Sequence, residues 1–414
     1  MTRLAMPTRR NAIQGGVSLF ASGAASTAAR AVEFAPASSP QLFYSEGRYL
    51  PFAPMLAGAP DQYRALIGDE RGAFALHPRD GLATSADLAE VHAQDAVEAI
   101  VAAAKDRRVV ILNEAHNISR CRLFALQVAA ALRPLGFDVF AAETFQSDPG
   151  ARFIETINVG APITTWCGTY TADPVYAETV RACRRLGYRM APYEAVHTGG
   201  LAMADRLRRE RDEAANLQAV IAAHPLSRVF VYCGYGHASK LLADYGFEPM
   251  AMRLQAQLRE PVLTVDQSWG APAPDPKDTP PLVQALLARL SPDRPMAVTY
   301  AGAPLQPNTY AQGAFDIDVL HPALPSLDGR PGWLARAPDR RRVEVALPNG
   351  APTGALAQAV PLAELDRERA TVPADQYPIV DAPARALVFW LRPGRYLARL
   401  ETPDGFTEVA RVDV

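Results

Sequence analysis

The sequence predicts an α/β protein, with a largely parallel sheet covered by helices on both faces and a small antiparallel β domain of sandwich type behind it. Three observations predict this. Short β-rich runs alternate with helical stretches from Arg107 to about Tyr300. Those runs are nearly all apolar, as strands buried on both faces are. Past about Pro338 the helical rhythm stops, and β-rich runs follow one another between turn signals.

Each element has its own signal. Strands are expected at Val109–Leu112, Phe137–Ala142, Tyr188–Tyr193, Val229–Cys233, Val262–Val265 and Met296–Tyr300. A helix is expected over Thr84–Ala104, because Leu88, Val91, Ala96, Val97, Ile100 and Val101 recur at helical spacing behind Ser85 as N-cap. Further helices are expected around Leu123–Leu132, Tyr176–Arg185 and Ala202–Ala222. The last carries an apolar stripe of Leu207, Ala214, Leu217, Val220 and Ile221. Residues 32–65 are rich in Pro, Ser and aromatics, show no period, and read as irregular structure. The C-terminal strands are Arg342–Leu347, Ala386–Leu391, Gly394–Leu400 and Thr407–Val412, parted by Pro348-Asn349-Gly350, Pro393-Gly394 and Pro403-Asp404-Gly405. The division expected is 1–31 as an address, 32–337 as the α/β domain and 338–414 as the β domain, a packing or docking module without chemistry of its own.

Composition sets limits. The 414 residues are 49% apolar and 21% charged, which excludes a disordered, collagenous or coiled-coil chain. A net charge of −2 gives no bulk electrostatic reason to bind nucleic acid. No run of 18 apolar residues exists, so no membrane span is expected. Four cysteines are too few for a disulfide scaffold. The N-terminus carries Arg9-Arg10, a mild apolar run from Gly15 to Ala29, and Ala29-Arg30-Ala31, resembling a twin-arginine export signal. Export to the periplasm or medium is expected, where Cys121, Cys167, Cys183 and Cys233 would be free to oxidise.

Open parallel sheets bind ligands at the carboxyl ends of their strands. The first five expected strand ends each deliver an ionisable group: Glu114 and His116, then Glu143, then Glu194 with His197, then His237, then Asp266. Carboxylates and imidazoles converging on one rim can hold a divalent cation or run acid–base chemistry on water. Glu114 and His116 share a face of an extended segment at i, i+2. The glycines of Gly234-Tyr235-Gly236-His237 let backbone approach a ligand, and a helix is expected to open at Ala238–Leu242. The charge run Arg209-Glu210-Arg211-Asp212-Glu213 reads equally well as a solvated helix face. Asp212 and Asn216, one turn apart, can point at the same cleft.

Asn113-Glu114-Ala115-His116, Gly136-Phe137 leading to Glu143, Arg211-Asp212 with Asn216, and Gly234-Tyr235-Gly236-His237 occur in an order that resembles the superfamily of the erythromycin esterases, the ChaN-like haem-binding proteins and the Tiki/TraB proteases. The resemblance spans about residues 105–335. The chain departs from that family at Asn113 and Asn117, and in lacking a second His near His237. The resemblance implies water activation by Glu114 and His116, with Glu143 and His237 completing the site, or a divalent metal on Glu114, His116, Glu143, Glu194 and His237. Haem, the less favoured cofactor, would fall to Tyr235 or Tyr193. Arg211 is expected to bind an anionic group, with Asp212 and Asn216 supporting it. The expectation is an exported hydrolase-like enzyme cleaving an ester, lactone or amide in a small-molecule or peptide substrate. Its rivals are a non-enzymatic haem or metal binder and a family member with a vestigial site.

Overall fold

The computed structural model describes residues 41–414 apart from 78, 80, 146, 148–152, 197–201, 243–246, 308–310 and 381–383. The expected export address and His197 therefore lie outside the described residues.

The described part of the segment expected to be irregular instead forms α1 (Gln41–Glu46), a 3-10 turn at Leu50–Leu56 and α2 (Pro60–Leu66), and α3 (Glu70–Leu76) follows it. Asp69 caps α3 by accepting from Gly72 N–H. Phe43, Tyr49, Phe52, Tyr63 and Leu66 pack together as an aromatic-rich core, and its spacing follows no simple period.

The expected helix over Thr84–Ala104 is split. Leu88–Glu90 is a 3-10 turn, β1 (His92–Asp95) pairs antiparallel with a later strand, and α4 (Ala96–Ala104) begins only at Ala96. Asp95, not Ser85, caps α4 by accepting from Glu98 N–H at 3.0 Å. Leu88 and Val91 keep their apolar role by packing with Trp269 and Val298 in a separate core. Tertiary pairing outweighs helical spacing here.

The α/β rhythm then follows: β2 (Val109–Glu114), α5 (Arg120–Leu132), β3 (Phe137–Ala142), α6 (Phe153–Asn158), α7 (Pro174–Arg185), β4 (Arg189–Pro192), α8 (Met203–Ala223), β5 (Arg228–Gly234), α9 (Met250–Leu258), β6 (Leu263–Gly270), α10 (Pro281–Leu290), β7 (Met296–Tyr300), β8 (Ala303–Pro304) and β9 (Ile317–Leu320). The sheet order is β1-β7-β9-β6-β2-β5-β3-β4, with β8 beside β7. The run from β9 to β4 is parallel, and β1, β7 and β8 form an antiparallel edge.

Strand alternation explains the two helical layers. Val110 and Leu112 face a core with Phe124, Val128 and Leu132 of α5 and Tyr176 and Val180 of α7. Val109 and Ile111 face the other side, against Ala214, Leu217 and Ile221 of α8 and Met250 and Leu254 of α9. The helix expected at Ala238–Leu242 does not form. Tyr235–Ala238 is a 3-10 turn, after which the Ser239 hydroxyl bonds locally to Leu241.

The C-terminal region is antiparallel. β10 (Arg341–Ala351) pairs with β13 (Ala384–Leu391), and β11 (Leu356–Pro361), β12 (Asp375–Pro378), β14 (Arg395–Thr402) and β15 (Gly405–Asp413) form a second sheet, with α11 (Leu362–Leu365) between β11 and β12. Leu387 and Phe389 of the first sheet pack with Ala357, Ala359 and Leu400 of the second. All four cysteines are buried and free. No helix among the described residues is long and apolar enough to cross a membrane.

Asp266 and Asp318 occupy paired positions on β6 and β9. Burial pushes both carboxyls up, and the proximity of Asp266 helps take Asp318 to about 8. Asp318 Oδ1 has no hydrogen-bond partner. A carboxyl whose folded pKa exceeds its unfolded value of about 4 favours folding less as pH rises through that window. Stability should therefore fall between about pH 4 and pH 8. D318N should flatten that slope and stabilise the protein at pH 8 by on the order of 1 kcal/mol or more. Urea titrations of both proteins at pH 5 and pH 8 check this. Parallel pH profiles would refute it.

Candidate functional site

Parallel register sets the site. Glu114 ends β2 opposite Gly234, which ends β5. Glu143 follows β3, Glu194 follows β4, and His237 lies in the turn after β5.

The first group is a Glu–His pair. His116 Nδ1 lies 2.9 Å from Glu114 Oε1. Glu114 is buried and surrounded: Arg122 Nε donates to Oε2 at 3.0 Å, Arg122 Nη2 to Oε1 at 3.1 Å, and the Tyr232 hydroxyl to Oε2 at 2.8 Å. Burial pushes the Glu114 carboxyl up, but Arg122 and His116 outweigh it and hold it below its ordinary value. An ionised carboxylate only accepts, so the His116 proton sits on Nδ1 and Nε2 is left as the basic atom. The ring is fixed on two sides, stacked on Tyr170 with centroids 3.8 Å apart and meeting Tyr235 edge-on at 5.0 Å.

Arg122 is itself fully buried. Besides Glu114, it donates to the His116 carbonyl at 2.7 Å and lies 2.7 Å from Asp173 Oδ2. Asp173 caps α7 through the Val175 and Tyr176 N–H groups. One guanidinium thus joins β2, the loop after it and the start of α7.

The second group centres on Glu143. Its Oε1 lies 3.8 Å from His116 Nε2 and 3.9 Å from His237 Nε2, and accepts from Arg209 Nη2 at 2.7 Å. Its Oε2 accepts from Gly234 N–H. Burial pushes Glu143 up, but His237, Arg209 and His116 together leave it well below the usual carboxylate range. Arg209 also holds Glu194 in a two-pronged pair. Even so, burial and the nearby Glu213 and Glu143 raise Glu194 to about 7. His237 Nδ1 faces Glu210 Oε1 at 2.7 Å and Glu213 Oε2 at 3.3 Å. Burial lowers His237, yet Glu210, Glu213 and Glu143 outweigh it, against Arg209, and leave it well above its ordinary value.

Glu114, His116, Glu143, Glu194 and His237 are therefore linked through contacts at one rim. Arg211 is not among them. Its side chain is 59% exposed and pairs with its neighbour Asp212, 42% exposed. Arg209 occupies the place expected of it, because two residues along a helix turn a side chain by about 200°. Asn216 supports the rim by donating to the Tyr193 carbonyl at 2.9 Å. Asp266 is taken up by Asn113 and Ser268. Asn113 also donates to the Tyr235 carbonyl, so it braces the loop.

Both candidate haem tyrosines have their hydroxyls engaged within the protein. The buried Tyr193 hydroxyl donates to the Tyr232 carbonyl at 3.4 Å, and the Tyr235 oxygen accepts from His116 N–H at 3.2 Å. The expected metal set does not fit as a set either, because Arg122, Tyr232 and His116 occupy both Glu114 oxygens and Arg209 occupies Glu194. Among the described residues, Glu210, Glu213 and His237 instead bring ligand atoms within 4.8 Å of one another.

Arg122, Arg209, Glu210 and Glu213 escaped the sequence reading as site residues. A signal existed for two of them. Carried one turn toward the N-terminus, the stripe of Ala214, Leu217 and Ile221 lands on Glu210 and Glu213, which are buried like the stripe itself.

No protein-family model matches the sequence, and no curated protein does. Parts of several solved structures are similar to it. One is the type III effector HopBA1, with 19% identity and a TM-score of 0.29, over 42% of this chain and 82% of that one. Another is RRSP, a MARTX toxin effector domain from Vibrio vulnificus, with 18% identity and a TM-score of 0.32 over 52% of this chain. This chain spans 45% of that structure's length. ChaN of Campylobacter jejuni, described with cofacial haem, has 12% identity and a TM-score of 0.30, over 44% and 89%. At these scores the likenesses say nothing about chemistry.

Two substitutions test the geometry. R122M should cost about 3–5 kcal/mol in urea unfolding, because it leaves Glu114 and Asp173 buried without their cation. A loss under about 1 kcal/mol would show that Arg122 is not the tie described. In G234A the new Cβ would lie 2.4 Å from His116 Cε1 and Nε2. The ring is clamped by Tyr170 and Glu114, so an overpacking cost of about 1–3 kcal/mol is expected. An unchanged melting temperature would contradict the placement of His116.

Proposed function

We propose that this protein is a hydrolase that activates water on His116 to cleave an ester, lactone or amide. The observation that carries the reading is the Glu114–His116 pair, whose free Nε2 points toward Glu143 Oε1, 3.8 Å away. Glu114 fixes the tautomer and stabilises the imidazolium formed as the ring takes a proton from water. Glu143 Oε1 lies beyond direct hydrogen-bond reach of His116 and orients the attacking water by accepting its second proton.

Charge develops on the carbonyl oxygen as water attacks. Arg209 supplies positive charge on the far side of Glu143. Such fixed donors act most strongly where water is excluded. Arg209 is 27% exposed, against 14% for His237, which suits it to meet an incoming substrate.

The test is an ester, lactone and peptide panel assayed with wild type, H116A and E114Q. H116A should lower turnover by about 10²–10⁴-fold, and E114Q should lower both turnover and the melting temperature, because its amide NH2 would stand among the Arg122, Tyr232 and His116 donors and leave Arg122 with one carboxylate fewer. Turnover by wild type that H116A leaves intact would refute the assignment.

A further inference from the structure

We propose that Glu210, Glu213 and His237 form a binding site for one divalent cation, held by one oxygen of each carboxylate and by His237 Nδ1. This goes beyond the hydrolase reading and does not depend on it, since it concerns binding alone.

The three donors come from two rigid pieces. Glu210 and Glu213 stand at i, i+3 on α8, and His237 follows β5. Their ligand atoms all lie within 4.8 Å of one another, with His237 Nδ1 at 2.7 and 3.3 Å from the two carboxylates. Donors about 2 Å from one tetrahedral ion stand a little over 3 Å apart, so the set needs little movement to close.

The second observation is the state of Glu213. It is fully buried, yet neither oxygen has a hydrogen-bond partner. Arg209 Nε lies 2.9 Å from Oε1, but its one proton is donated to Glu194 Oε1. His237 Nδ1 likewise has no aligned partner. A buried carboxylate without hydrogen bonds is costly, and a cation ligated by it removes that cost. Glu210 is better prepared, because its Oε2 accepts from Met250 N–H, leaving Oε1 aimed at His237.

The charges agree. His237 faces Glu210 and Glu213 from α8 and Glu143 from the end of β3, with Arg209 as the opposing cation. Arg209 Nη1 lies 3.1 Å from His237 Nε2, and a guanidinium can only donate. Whether the ring is neutral with Nε2 accepting or charged by its carboxylates, Nδ1 carries a proton. A cation and that proton compete for the same atom. One imidazole and two carboxylates suit zinc or manganese better than calcium, which prefers an all-oxygen shell.

The experiment is calorimetric titration of the full chain, stripped with EDTA, against zinc chloride and manganese chloride. It is run in two buffers of different ionisation enthalpy, with elemental analysis after dialysis. One equivalent should bind with the same stoichiometry in both buffers. E213Q should weaken binding by about tenfold or more. D212N, on the exposed side of the same helix, should bind as wild type. No saturable binding of either ion to wild type up to about 1 mM, the weak end of protein cation sites, would overturn the proposal. Equal binding by wild type and E213Q would also overturn it. If circular dichroism shows E213Q unfolded, E210Q takes its place. Loss of the cation site would leave the H116A result untouched, so the two readings fail separately.

Discussion

The buried guanidinium of Arg122 is the interaction on which the rest of the rim depends. It neutralises Glu114, fixes the His116 carbonyl and contacts Asp173. Without it, Glu114 would be pushed toward its neutral form by burial and could no longer dictate which ring nitrogen of His116 carries the proton. A buried ion pair is a weak source of net stability but a strong source of geometry, because its partners cannot move without exposing a charge to an apolar core. Here the geometry fixed is that of an imidazole whose Nδ1 proton is held by Glu114.

The far side of the rim is organised differently. One partly exposed guanidinium, Arg209, is shared by Glu143, Glu194 and Glu213, and negative charge stays in excess around it. Burial, with Glu213 and Glu143 close by, raises Glu194, and the Glu213 oxygens, though near Arg209, accept no hydrogen bond. An isolated folding unit gains nothing from such an excess. Retaining it makes sense where a positively charged or polarised group enters the site, as a bound cation or as an electrophilic carbonyl.

The parallel sheet was legible because buried strands have a composition of their own, and the topology then placed Glu114, His116, Glu143, Glu194 and His237 at one end without further information. The substitution of Arg209 for Arg211 was harder. A run of alternating charges on a helix has no phase of its own, and only the apolar stripe further along α8 reveals which charges turn inward. Arg122 was less legible still, being one of two arginines in the first turn of a largely apolar helix, with partners on other elements. The early helices α1 and α2 were missed because their core is built from aromatics at irregular spacing. The split of the expected helix at His92–Asp95 was missed because strand pairing with Thr299–Met296 is a long-range fact.

The C-terminal sheets, which carry no residue of the rim, still bear on it. Tyr170, the ring stacked on His116, belongs to the segment between β3 and α7. That segment is held from outside the α/β layer. Val372 N–H donates to the Ile163 carbonyl, Thr165 N–H to the Ala370 carbonyl, and the Glu364 carboxylate accepts from Ile163 N–H. Glu364 is itself clamped by Arg181 of α7. From the other end, the Tyr49 hydroxyl donates to the Ala172 carbonyl, and Tyr49 and Leu50 N–H are both held by Glu401 of β14. The chain on either side of Tyr170 is thus tied, directly or through Tyr49, to the antiparallel region. A loop at the rim of a sheet is ordinarily among the less stable parts of a protein. Here a whole β module braces it, so the position of the His116 ring is set as much by β14 and α11 as by the strand that carries Glu114.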